Sequence, residues 1–326
     1  MKKLSCNVEG CALVFEGGGY RAAYTAGIAR VLLEQGIHFP FVCGISAGSS
    51  HTVDYCSRDL ARTRNAFLGM RPEGIPIAGF GSVVRGKGYF NADYLYEGCI
   101  ADGFMPFDWD TFQANPAQVA IQAFEVRTGR SVTFTKDDMR DKYDMVDKVR
   151  ASSTLPGVMH PKAVDGRLFM DGGLGEGAGL PLHLAERGGY DRFFFVATRP
   201  HGYRKEPPTE QERRVYRAIA HGRPYLLDAL LTRWERYNRE LTRIERLADE
   251  GRCLIVYPDD MPISSGTTDK ARLLAAYNEG HAQAMRDLPR YREFLFGAPD
   301  AGPHPDEAAL ARTLAAIDDG YVIIEG

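Results

Sequence analysis

Two short apolar runs, each ending at a glycine-rich turn that opens a helix-compatible stretch, constrain the architecture within the first 58 residues. "CALVFE" (11–16) is too short for a helix and stops at three consecutive glycines, so it reads as a buried strand. "AAYTAGIARVLLEQG" (22–36) follows as a helix, with Ala26, Ala29, Leu32 and Leu33 near one face and Gly36 at the position of a C-terminal cap. "FPFVCG" (39–44) repeats the strand signal, and a helix is expected from about Ala47 to Arg58. Strand, helix, strand, helix in this rhythm predicts a βαβ unit and therefore a parallel sheet.

The same signals recur downstream. "QVAIQAFEV" (118–126) and "SVTF" (131–134) flank a turn at Thr128–Gly129, and "KAVDGRLFMDGG" (162–173) carries Asp-Gly between two short runs; both predict hairpins. "KYDMVDKVRASSTLP" (142–156) predicts a helix ended near Pro156, and "FFFVAT" (193–198) a fully apolar strand. Composition shifts after Arg199. "HGYRKEPPTEQERR" is polar, and a long amphipathic helix is expected from Pro224 to about Glu250, its arginines alternating with acids as on a solvated face. "CLIVYP" (253–258) fits a strand, 269–288 a helix, and 297–307 a surface crossing before a short terminal helix. Residues 71–117, rich in glycine, proline and aromatics, read as irregular loops with short helices.

Composition narrows the function classes. A formal net charge of −3 provides no field for nucleic acid. The six cysteines, Cys6, Cys11, Cys43, Cys56, Cys99 and Cys253, show no C-x-x-C pair and no zinc-like spacing, which fits free thiols. The N-terminal apolar run is too short for a signal peptide, and no stretch is long enough for a transmembrane helix, so a cytoplasmic protein is expected.

Three motifs carry chemistry. "EGGGYRAA" (16–23) leaves backbone N–H groups free at a helix start, which suits an anion. It also matches a dinucleotide fingerprint, but that reading needs an acid at the end of the second strand, where this chain has Gly44 and a serine turn. G-x-S-x-G at 44–48 follows a strand and precedes a helix, the context of a nucleophile elbow, with Ser46 at its tip. Adjacent parallel strands would bring the glycine loop beside Ser46, where its N–H groups can face an oxyanion. "FMDGG" (169–173) ends a strand at Asp171. A nucleophilic serine needs a base; by residue type Asp171 or one of the flanking histidines, His160 or His183, can serve.

G-G-G-x-R, G-x-S-x-G and D-G-G, in that order across residues 10–200, resemble the patatin-like phospholipase family, as does "ASSTLPGVMHP" before the aspartate. The resemblance implies a three-layer α/β/α fold with a mostly parallel central sheet. It implies a catalytic domain over 1–200 and a mainly helical C-terminal extension over 201–326 packed on it. It further implies Ser46 as nucleophile, Asp171 as the base of a dyad without histidine, and an oxyanion hole from the N–H groups of Gly17, Gly18, Gly19 and Ala47. Arg21 would lie near the oxyanion or a lipid phosphate. Ala22 stands where the family commonly has glycine, and alanine forbids a strongly left-handed backbone there. The implied substrate is a lipid or other acyl ester, taken without cofactor or metal and with peripheral membrane contact, and on that reading the aromatic- and glycine-rich 71–112 region suits a lipid-facing cap; no nucleic-acid partner is expected, and the oligomeric state stays open. Two rival classes are a non-catalytic lipid- or acyl-binding protein on the same fold and a nucleotide-binding enzyme using the glycine loop.

Overall fold

A computed structural model describes residues 4–68 and 93–297. The cap region expected at 71–112 lies partly, and the expected terminal helix wholly, outside them. The strands are β1 (Cys11–Phe15), β2 (Phe41–Ile45), β3 (Gln118–Glu125), β4 (Ser131–Thr135), β5 (Lys162–Val164), β6 (Arg167–Met170), β7 (Arg192–Val196) and β8 (Cys253–Val256). They form one eight-stranded sheet in the order β5-β6-β3-β2-β1-β7-β8, with β4 also on β3. The pairs from β3 through β2, β1 and β7 to β8 are parallel, and those of β4, β5 and β6 antiparallel. The helices used below are α1 (Ala22–Glu34), α2 (Ala47–Cys56), α3 (Leu60–Asn65), α4 (Trp109–Ala114), α5 (Lys142–Ser153), α6 (Leu182–Arg187), α7 (Glu210–Ile219), α8 (Pro224–Asp249) and α9 (Lys270–Phe296).

The central strands are apolar throughout because both faces of the sheet are covered. Leu13, Phe15, Val42, Phe194 and Val196 pack into one core with α1, α2 and α9, whereas Val14, Cys43, Phe193, Phe195 and Ile255 pack into the other with α6 and α8. Successive side chains on a strand point to opposite faces, so each run feeds two cores and three layers result. At the α1–α9 crossing the backbones nearly touch: a Cβ on Gly280 would lie 2.0 Å from the Tyr24 carbonyl oxygen, and one on Gly27 2.4 Å from the His281 nitrogen.

Several expected elements change in extent. The last described helix runs to Phe296 with Pro289 inside it, beyond the expected stop at 288. Helix α7, absent from the expected elements, forms after the Pro-Pro break because Thr209 and Glu212 make a reciprocal capping box. The "CLIVYP" strand is β8, which extends the main sheet beside β7.

Sheet topology places the site. Phe124 of β3 pairs with Ser131 of β4 on one edge and with Met170 of β6 on the other, so β6 shares the β2 edge of β3. β2 runs parallel to β3 and ends with Ile45 opposite Gln122; β6 runs antiparallel and ends with Met170 opposite Phe124. The two strands therefore meet head-on, and the next residue of each, Ser46 and Asp171, arrives beside Ala123.

Candidate active site

Ser46 sits between β2 and α2 at φ 57° and ψ −127°, a backbone that a residue with a Cβ rarely adopts. The surrounding chain enforces it. A Cβ on Gly44 would lie 2.0 Å from the Gly48 carbonyl oxygen, and one on Gly48 would lie 2.3 Å from that of Phe15. Both glycines of G-x-S-x-G are therefore required by close passage of backbone. From behind, the Ser46 N–H donates to Ser152 Oγ at 2.9 Å, and that hydroxyl donates to the Gln122 carbonyl at 2.6 Å.

The glycine loop abuts this elbow, as adjacent strands β1 and β2 require: a Cβ on Gly17 would lie 3.2 Å from Ser46 Cβ. Gly17 does not fit its expected role as a donor. Its N–H is spent on the Gly179 carbonyl at 3.0 Å, which ties the loop to the turn after Asp171. The N–H groups of Gly18 and Gly19 enter none of the hydrogen bonds among the described residues. Gly19 has φ 55°, and a Cβ there would lie 2.6 Å from the Ser265 carbonyl oxygen, which accepts the Tyr20 N–H at 3.1 Å. At Gly18 the nearest atoms belong to Thr198, 2.8 Å from an added Cβ. Ala22 is right-handed, at φ −61°, so no glycine is needed there.

Asp171 caps the turn that follows β6. Its Oδ1 accepts the Gly173 N–H at 2.7 Å, while Oδ2 is buried without a hydrogen-bond partner. Gly172 lets the chain pass the Gln122 carbonyl, 2.1 Å from where a Cβ would sit. Burial raises the Asp171 carboxyl above the usual carboxylate range; the Arg233 charge, the Ser46 hydroxyl and the Gly173 N–H pull it down without cancelling that rise. The Ser46 hydroxyl is thus near enough to act on the carboxylate, although Oδ2 completes no hydrogen bond. No histidine among the described residues bonds either group. His183 Nε2 meets Gln122 Oε1 at 2.8 Å, and His160 is exposed.

Ser46 opens into a mainly apolar cavity lined by Val53, Phe67, Met145, Val149, Leu155 and Met159, among others. Asp54, paired with Arg62 at 2.6 Å, adds a carboxyl to that wall, and burial pushes its pKa up to about 6. Arg21 does not line this cavity. It is buried, and its charged neighbours are Arg199 and Glu16.

Sequence reasoning missed three contributors from beyond residue 200. Ser265 lines the cavity and packs on Gly19. Arg233 donates Nε to the Gly173 carbonyl at 2.8 Å, and Arg236 donates to those of Leu174 and Gly175. The arginine face of α8, expected to be solvated, therefore binds backbone carbonyls of the turn that follows Asp171. Its i, i+3 and i, i+4 charge pattern alone does not distinguish the two.

Fold and site together define a three-layer α/β protein in which a strained elbow serine meets a buried carboxylate at the mouth of an apolar cavity. The chain belongs to the patatin-like phospholipase family, whose model matches residues 13–185. A domain of unknown function, DUF6363, matches residues 223–296. The chain is 26% identical over 202 residues to the uncharacterized protein YjjU of Escherichia coli, covering 58% of this chain and 52% of that protein. It is 25% identical over 212 residues to an uncharacterized NTE family protein of Mycobacterium tuberculosis, covering 63% and 52% respectively. The chain thus spans about half the length of these curated relatives. VipD from Legionella pneumophila superposes with a TM-score of 0.45 at 12% identity, over 94% of this chain and 74% of that one. No helix of the described residues is long and apolar enough to cross a membrane.

Proposed function

We propose that the protein is a serine acyl-ester hydrolase of lipids, of the phospholipase A or lysophospholipase type, with Ser46 as nucleophile and Asp171 as its base. The observation that carries this reading is the head-on arrival of Ser46 and Asp171 at one point of the β3 edge, with Asp171 Oδ2 unpartnered. Asp171 takes the hydroxyl proton as Ser46 Oγ attacks the ester carbonyl. The carbonyl oxygen becomes an oxyanion held by the N–H groups of Gly18, Gly19 and Ala47; Gly17 positions the loop instead. Ala47 opens α2, so its N–H has no intrahelical acceptor and the helix dipole favours negative charge there. Collapse of the intermediate breaks the ester C–O bond, and the leaving alcohol takes the proton from Asp171. Water then attacks the acyl-serine, giving its proton to Asp171, and the fatty acid departs as Ser46 regains a proton. A carboxyl raised above its ordinary range is a better base for this work.

The apolar cavity suits the acyl chain. Peripheral membrane contact is proposed on the side of Phe104, an exposed aromatic beside the cavity-lining Met105. The test is hydrolysis of a panel of defined lipids by wild type and Ser46→Ala, together with fluorophosphonate labelling. Labelling at Ser46 and turnover lost in Ser46→Ala are expected. Undiminished turnover by Ser46→Ala would sink the assignment, and tight lipid binding without turnover or labelling would favour a non-catalytic binding protein.

A further inference from the structure

On the opposite flank of the glycine loop from Ser46 lies a group of cations that have no hydrogen-bond or ion-pair partner among the described residues. Arg21 is only 7% exposed, yet its guanidinium makes no hydrogen bond or ion pair among the described residues, and its Nε is sealed from solvent. Arg199 Nε is likewise sealed and unpartnered. Lys205, on the same loop, also forms no side-chain hydrogen bond or ion pair there. Arg233 adds a fourth positive charge close enough to act on Lys205. The acid among them is Glu16, and both its oxygens are taken: Oε1 by the Tyr237 hydroxyl at 2.8 Å and Oε2 by the Thr198 N–H at 2.5 Å.

Aromatic faces offset part of this charge. Arg199 Cζ stands 4.2 Å from the Tyr203 ring centre, and Lys205 Nζ 4.4 Å from that of Tyr237. Such contacts are weak beside the cost of stripping water from a guanidinium. The positions are nonetheless held rigidly. Asn238 accepts the Lys205 N–H at 2.8 Å and donates to the Lys205 carbonyl at 2.9 Å, while Arg204 is clamped to Glu245. Burial, then the charges of Arg233, Arg199 and Arg21, pushes Lys205 down to about 7, against the pull of Glu16.

We propose that Arg21, Arg199 and Lys205 form a binding site for a phosphate group, separate from the cavity that holds Ser46. A carboxylate satisfies one fork; neighbouring cations, with Arg199 Cζ 4.2 Å and Lys205 Nζ 5.7 Å from the same Tyr203 ring centre, match a dianion with several acceptor oxygens. The anion supplies the hydrogen bonds that the buried Arg21 guanidinium and the half-buried Arg199 guanidinium lack. Its source is either the head group of a bound lipid or free phosphate, and the head-group case rests on the hydrolase reading while binding itself does not.

The test is calorimetric titration of the folded full chain with inorganic phosphate, alongside Arg199→Gln, Lys205→Met and the charge-keeping Lys205→Arg. Wild type and Lys205→Arg should bind, and the two neutral variants should bind about tenfold more weakly or worse. No binding by wild type at about millimolar phosphate, or equal binding by all four proteins, overturns the site. A kinetic arm separates the sources. If phosphate competes with a phosphomonoester lipid and leaves diacylglycerol hydrolysis alone, the ligand is the head group. If it alters both rates equally and Arg199→Gln abolishes the effect, the ligand is free phosphate. Loss of all hydrolysis would refute the hydrolase reading and leave the binding result to decide this one.

Discussion

Replacing Ser46 by glycine should make the protein more stable than replacing it by alanine. Ser46 is held at φ 57° and ψ −127°, where a Cβ costs about 1–3 kcal/mol. Glycine removes that strain but loses about 0.5–1 kcal/mol more conformational freedom on folding than alanine does. The net expectation is Ser46→Gly above Ser46→Ala by up to about 2.5 kcal/mol, and by about 1 kcal/mol at the middle of both ranges. The chain has 326 residues, and at about 2.1 cal/mol/K per residue its melting entropy is near 0.7 kcal/mol/K, so Tm should differ by up to roughly 4 °C. Urea unfolding followed by circular dichroism gives the same difference at constant temperature. Ser50→Gly, inside α2, provides the opposite sign because glycine weakens a helix interior. Neither Ser46 variant should hydrolyse ester. A Ser46→Gly protein no more stable than Ser46→Ala would refute the stored strain, and with it the claim that Gly44 and Gly48 hold the serine on a forced turn.

Asp171→Asn should stay folded, because Oδ1 can still accept from Gly173, and should lose about 10²–10⁴-fold in kcat on lipid esters. The working base is the ionised form, and burial raises its pKa, so kcat/KM should fall with decreasing pH around a midpoint above the ordinary aspartate value of about 3.9. Arg233→Met removes a charge that pulls this carboxyl down, so the midpoint should move to higher pH; a downward shift in the pH–rate profile would contradict the electrostatic reading. Gly18→Ala should cut activity by displacing the loop, since the new Cβ would lie 2.8 Å from Thr198, and the double variant with Thr198→Gly should regain part of it in the same esterase assay. Gly280→Ala should cost about 3 kcal/mol at the α1–α9 crossing, read as a lowered urea midpoint, because its Cβ meets immovable backbone at Tyr24.

What the sequence made legible was local. β1, α1, β2 and the elbow follow one another within a few dozen residues, and their signals are side-chain period, glycine position and strand length. Asp165 and Gly166, both at positive φ, form the turn that Asp-Gly announces between β5 and β6. What stayed hidden depends on chain segments far apart. That Gly17 gives its N–H to Gly179 requires the turn after Asp171 to lie under the loop, which no neighbouring residue announces. The helix expected over 269–288 continues through Pro289, whose ring removes one helical hydrogen bond, and α9 buries Tyr291 and Leu295 beyond it.

For the dyad we propose, the head-on meeting of β2 and β6 supplies the geometry by which an aspartate can serve without a histidine. A histidine relay spans the gap between an acid and a serine carried on separate loops. Here both residues leave strand ends that share one edge of β3, and Ser46 and Asp171 arrive at the same residue of that edge. In the proposed dyad the acid therefore acts on the serine directly, with no histidine between them. Direct action in turn demands a carboxylate that is neither hydrated nor tied down, and the structure leaves Oδ2 in that condition. The remaining electrostatic task falls to α8: Arg233 keeps the buried carboxyl from rising further while binding the Gly173 carbonyl of the same turn. On the proposed mechanism, a residue more than 60 positions away in sequence thus tempers the basicity that burial gives Asp171.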